Sequence, residues 1–185
     1  MPPRKTASAK QKPAARATKK NSAPRSTPSR AVQLDAAAQL DGFLDKFTPE
    51  VAAQARTALR KMRARLPGAI ELVYDNFNAL AIGFGPTDRA SDAIFSIALF
   101  PRWVSLFFLL NGARLRDPGA CLEGGGKLAR HIKLKDLALL DSPAVQELIA
   151  QALELSENKI DPSQPRRLII KSISPKQRPR RPVSK

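Results

Sequence analysis

The chain of 185 residues has one cysteine, one histidine, one tryptophan and one tyrosine. Each scarcity excludes something. With Cys121 alone no intrachain disulfide can form, which fits a reducing, cytoplasmic setting. One cysteine and one histidine, Cys121 and His131, cannot supply the ligands of a structural zinc site. As a nucleophilic pair they would need a third group to orient the base, and none can be identified. A small buried thiol and a strand histidine account for both more simply. No apolar run approaches the roughly 20 residues that span a bilayer. After Met1, no bulky apolar residue precedes Val32. A secretory signal would lack its apolar region, and a transit helix its apolar face, so no targeting peptide is expected. Pro2, Pro3, Pro13, Pro24 and Pro28 would also interrupt such a helix.

Acid is missing too, but only locally. Residues 1–30 hold nine Lys or Arg and no Asp or Glu, and residues 159–185 hold nine more against Asp161 alone. The 128 residues between carry fourteen basic and fifteen acidic side chains, a net charge of −1, although the whole chain stands at +16. The basicity therefore belongs to the ends. We read three parts: a disordered basic tail over 1–30, an α+β domain over 31–158, and a basic, Pro-rich C-terminal extension over 159–185. The first has nothing to bury and cannot offset the entropy of ordering. The second is long enough to bury roughly two thirds of its unfolded surface.

Within the domain the apolar period changes twice. Leu40, Phe43, Leu44 and Phe47 fall on one helix face. Thr48-Pro49-Glu50 then reads as a helix start: a capping hydroxyl, a proline at the first position and an acid in the first turn. Val51, Ala55, Ala58, Leu59, Met62 and Leu66 make the second apolar face, which Pro67-Gly68 ends. The period then shortens towards two, with strands expected over 70–75, 79–84, 93–100, 103–110 and 129–134. Ser142-Pro143 starts a last helix, faced by Val145, Leu148, Ile149 and Ala152. Strands clustered in sequence with short links predict an antiparallel sheet of about five strands with helices packed on one side. Leu168-Ile169-Ile170 offers a possible edge strand before the final basic segment.

Candidate binding residues follow from charge. Arg4, Lys5, Lys19 and Lys20 at one end, and Arg178, Arg180 and Arg181 at the other, would neutralise phosphates and gain free energy by counterion release, with no sequence information needed. Arg56, Arg60 and Arg63 lie at i, i+4, i+7 on the second helix and would extend that surface. A solvated helix face explains them more simply. Asp41 and Asp45 pair at i, i+4, too few oxygens for a hard cation. Gly124-Gly125-Gly126-Lys127 lacks phosphate-loop spacing and precedes a strand, so a bend is expected there.

One further pattern concerns the segment from about Pro67 to Leu153. Pro67-Gly68-Ala69 is followed by Glu71 and Tyr74, then by Ser91-Asp92-Ala93 and Pro101-Arg102-Trp103-Val104. Phe107, Gly112, Asp117-Pro118, Leu122-Glu123-Gly124, Arg130-His131 and Pro143-Ala144-Val145 continue it. This series resembles the YdhG-like family, a domain of unknown function, and the ending Leu168–Arg181 is similar too. After Tyr74 this chain has Asp75-Asn76-Phe77-Asn78 where many members have a Gly-Met-Pro turn. The resemblance implies an α+β domain with a curved antiparallel sheet and a shared pocket of Tyr74, Arg102, Trp103, Glu123, Arg130 and His131. A polar, aromatic pocket of that kind would take a small polar or anionic ligand. Alternatively, Glu123 and Arg130 form a structural ion pair.

The expected function is therefore a non-enzymatic binding or accessory protein whose basic ends associate nonspecifically with DNA or RNA. The other reading is a small-ligand or iron-handling protein of the frataxin-like type, with ends that only solubilise or localise it. No catalytic constellation, resident metal or cofactor is identified.

Overall fold

The computed structural model describes residues 30–182, with the side chains of residues 32–182. Arg4, Lys5, Lys19 and Lys20, and the basic tail they belong to, lie outside the described residues. Three helices and a sheet of six strands make up the fold: α1 (Arg30–Leu44), α2 (Pro49–Arg65), β1 (Ile70–Asp75), β2 (Leu80–Gly85), β3 (Phe95–Phe100), β4 (Trp103–Phe108), β5 (Arg130–Lys133), α3 (Pro143–Glu154) and β6 (Arg167–Ile173).

The helix starts are those the sequence specifies. Thr48 Oγ1 accepts from the Val51 amide at 3.4 Å with Pro49 inside the first turn, and Ser142 Oγ accepts from the Val145 amide at 3.4 Å ahead of Pro143. Each side-chain oxygen satisfies a donor that the helix itself leaves orphaned. The α2 exit needs a glycine. Gly68 sits at φ +77°, where a Cβ would fall 1.9 Å from the Asp161 carbonyl oxygen. That close approach pins the segment after α3 against the α2–β1 junction.

The sheet differs from expectation in strand number and in direction. Its order is β5-β4-β3-β2-β1-β6. Five strands run antiparallel in sequence order, but β6 lies parallel to β1, with Leu168 opposite Glu71 and Ile170 opposite Val73. The sheet is therefore mixed and six-stranded. A parallel neighbour requires the chain to cross back over the sheet, which α3 and the segment after it accomplish. Residues 167–173, within the segment that composition assigns to an extension, are thus part of the sheet, and the edge strand offered by Leu168-Ile169-Ile170 is β6.

Strand alternation sorts the two faces. Val73, Ile82, Ile97, Leu106, Ile132 and Leu168 enter one buried cluster with Leu40, Leu44, Leu59, Met62, Val145 and Leu148 of the helices. Glu71 and Asp75 share the Val73 face and are 0% and 1% exposed. The other face carries Tyr74, Ala81, Ala98, Ser105 and Lys133 as one cross-strand row, and Leu72, Gly83, Ser96, Phe107 and His131 as the next.

Candidate functional site

The six pocket candidates do not converge. Tyr74 on β1 and His131 on β5 are four strand steps apart, about 19 Å at the usual spacing. Burial pushes the Tyr74 phenol up from its ordinary pKa, and its hydroxyl meets no partner among the described residues. Glu123 does not pair with Arg130. It forms a bridge to His131 (Glu123 N to His131 O 2.7 Å), and its carboxylate lies 3.8 Å from His131 Nε2. Arg130, one residue away in β5, points to the opposite face and donates to the Ala129 and Gly126 carbonyls. The glycine run closes the turn between Glu123 and His131, with Gly124 at φ +105°. The His131 ring stacks on Phe107, centroids 4.9 Å apart.

Arg102 and Trp103 do share a groove, and four of its other lining residues come from the segment after β6. The tight β3–β4 turn at Pro101-Arg102 brings Phe100 and Trp103 side by side, stacked at 5.0 Å and 22°. Lys133 Nζ lies 4.9 Å from the Trp103 ring centroid, and the indole remains 36% exposed. Facing this turn is the segment after β6. Phe100, Arg102, Trp103, Arg178, Pro179 and Arg181 line an open groove of about 720 Å³, to which Asn78, Pro101 and Pro182 also contribute. Among the described residues, no carboxylate lines it. Arg102 makes no hydrogen bond or ion pair within the described residues, and Arg178 reaches only the Asn78 side chain, at 3.4 Å. Arg181 donates to the Phe47 and Asp45 carbonyls, which orient the guanidinium without neutralising it.

Arg180 plays a different part. It is 5% exposed and donates to Asp75 Oδ1 at 2.6 Å and to the Asn76 carbonyl, with its guanidinium 5.5 Å from the Phe47 ring centroid. Lys46 Nζ (2.9 Å) and Gln177 Nε2 (2.6 Å) satisfy the other Asp75 oxygen. The Ser174 amide donates to the Asp75 carbonyl and the Arg178 amide to the Phe77 carbonyl. This clasp fixes the far wall of the groove, and Arg180 is spent on it rather than offered to a phosphate. The sequence held one local signal for it: period-two alternation puts Glu71, Val73 and Asp75 on one face, and buried acids there demand cationic partners.

The α2 arginines line a different groove, although Arg56 and Arg181 both bond Asp45, one at its carboxylate and the other at its carbonyl. Arg56, Arg60 and Arg63 line a second groove, of about 400 Å³, with Leu40, Asp41 and Arg166 among its other residues. Arg56 pairs with Asp45 at 2.7 Å and Asp41 at 3.5 Å, which raises its pKa, the Asp45 hydrogen bond first. Asp41 and Asp45, too few for a hard cation, thus both face the Arg56 guanidinium. Arg63 grips the buried Glu71 with both Nε (3.0 Å) and Nη2 (2.7 Å), and Arg166 approaches the same carboxylate at 3.5 Å. Arg60 bonds Thr57.

Among the described residues, no three His, Cys, Asp or Glu side chains gather as a metal cluster, and no helix is long and apolar enough to cross a membrane. Comparison of the chain with protein-family models, curated proteins and solved structures gives no match.

Proposed function

We propose that this is a nucleic-acid-associating protein without catalytic activity, acting in the cytoplasm, that binds the phosphate backbone through its basic ends. The observation that supports this best is the groove beside the β3–β4 turn. Arg102, Arg178 and Arg181 converge there with no carboxylate in the lining, so their charge is available to an external anion. The nine cations of residues 1–30 would add to the same field, since polycation binding to phosphate needs proximity and counterion release rather than fixed geometry. Kinship with the YdhG-like family is a further part of the proposal, carried only by the residues of the resemblance, and it supplies no ligand.

The test is duplex-DNA binding by the full chain, followed by fluorescence anisotropy across a salt series. With about six phosphates neutralised, affinity falls roughly a thousandfold between 50 and 200 mM salt. The triple variant Arg102→Gln, Arg178→Gln, Arg181→Gln flattens the log–log slope by about 0.9 for each phosphate that is no longer neutralised. Absence of binding at physiological salt, or an affinity indifferent to salt, refutes the proposal.

A further inference from the structure

Resting on the nucleic-acid reading, we infer that the groove between the β3–β4 turn and residues 178–182 is a binding site for single-stranded nucleic acid, with an unpaired base stacking against the Phe100–Trp103 pair. Two properties of the lining meet here. Its charge is not ion-paired: Arg102, Arg178 and Arg181 line it with no carboxylate among the described residues, while Arg102 also borders a separate groove that Glu50 and Asp136 line. One wall carries two stacked rings at 5.0 Å, Phe100 half-buried and Trp103 36% exposed, with Lys133 Nζ 4.9 Å from the Trp103 centroid. Phosphate backbones need only the first property. An aromatic wall in a cationic groove adds something that only an unstacked base can use, because duplex bases keep their faces inside the helix. The volume of about 720 Å³ falls in the range, about 300–1,000 Å³, that holds small ligands. A nucleotide or two fits; the cylinder of a duplex meets only the arginine rim.

The site is also preformed. The wall opposite the rings is held by the Arg180–Asp75 pair and by the Arg178 amide on the Phe77 carbonyl at 2.9 Å. Binding therefore does not have to order that wall, a cost that would otherwise be subtracted from affinity. Trp103 is the chain's only tryptophan, which makes the site self-reporting.

The experiment titrates the full chain, at about 0.15 M salt, with three probes of equal length: an oligothymidylate strand, an abasic strand of the same charge, and a duplex. Tryptophan emission and anisotropy are read together. The base-bearing strand is expected to bind most tightly and to be the only probe that quenches Trp103. Phe100→Leu, which keeps the bulk and removes the ring, should weaken that strand about tenfold or more, with abasic and duplex affinities unchanged within about twofold. Equal quenching by base-bearing and abasic strands overturns the inference on the unmutated chain alone, whatever the stability of the variant. So does a Phe100→Leu effect that is the same for all three probes, or absent for all. Either result leaves duplex binding, and with it the parent reading, standing. If no probe binds at this salt concentration, the parent reading fails and this one falls with it.

Discussion

Helix α2 and the groove beside the β3–β4 turn both present arginines, and the two sets differ in what stands next to them. On α2, Arg56 meets Asp45 and Asp41, Arg63 meets Glu71, and Arg65 meets Asp141 at 2.5 Å, while Arg60 meets only Thr57. In the groove, Arg102, Arg178 and Arg181 meet carbonyls, an amide or solvent, and no carboxylate. Spacing on a helix cannot separate these cases, since an i, i+4, i+7 row of arginine looks the same whether its charge is consumed or on offer. The separation comes from acids elsewhere in the chain. Arginine that neutralises a buried acid is part of the fold's stability, and arginine without an acid is part of the surface potential. Arg180 shows that position along the chain does not decide the matter either. It lies between two groove arginines in sequence, yet it is buried against Asp75.

The largest effect should come from breaking a pair of the first kind. Glu71 is fully buried, so removing its main partner leaves a desolvated charge with only Arg166 at 3.5 Å. Arg63→Met keeps the aliphatic stem and deletes the fork. Its expected cost is about 3 kcal/mol, a fall in melting temperature of about 10 °C for a chain of this size, with no change in nucleic-acid affinity while the protein is folded. An unchanged melting temperature would mean that Arg166 compensates Glu71 alone, and that Arg63 belongs with the surface set.

A smaller effect is expected at the clasp. In Arg180→Met, Asp75 keeps Lys46 and Gln177, so the carboxylate is not abandoned and the loss should be nearer to about 2 kcal/mol. Its signature is local. Amides of the C-terminal segment, those of Ser174 and Arg178 above all, should exchange faster with solvent than in the parent, because their partners sit at Asp75 and Phe77. If their protection survives, the backbone bonds hold the groove wall without the ion pair, and Arg180 only fills space over Phe47.

Much of the fold is legible in the sequence where its cause is local. The Thr48 and Ser142 caps, the apolar faces of α2 and α3, and the period-two runs of β1 to β4 all follow from neighbours a few residues apart. What escapes is non-local. The apolar centre of β6 marks a possible edge strand in the sequence, but its partner and its parallel direction come from β1, about a hundred residues earlier. The clasp is the same case: Asp75 signals that a cation is needed, but nothing near it says which of the chain's 32 will come. The site divides along the same line. Arg102 and Trp103 are adjacent in sequence and remain so in the groove, and Arg178 and Arg181 are visible as charge. That these two pairs face each other depends on the parallel return of the chain. Tyr74 and His131 fail to meet because four strand steps separate them, a distance that depends on sheet order and not on sequence.

The smallest expected effect lies at Asp141, where the comparison can be sharpened with pH. Lys61 and Arg65 both donate to this half-exposed carboxylate, and the Lys61 hydrogen bond, then that of Arg65, hold its pKa below the ordinary 3.8. A carboxylate whose pKa is depressed by folding contributes stability above its unfolded pKa, and the contribution is lost as pH falls through the folded value. Asp141→Asn should therefore melt slightly below the parent near neutral pH, and the difference should close as the solution is acidified below about pH 4. Added salt should narrow it as well, because the pair is exposed and screened. Arg102→Gln has no carboxylate to release and should show no such closing. If the Asp141→Asn difference persists undiminished in acid, the residue acts through its hydrogen-bond geometry, and charge compensation is not what distinguishes this end of α2 from the groove.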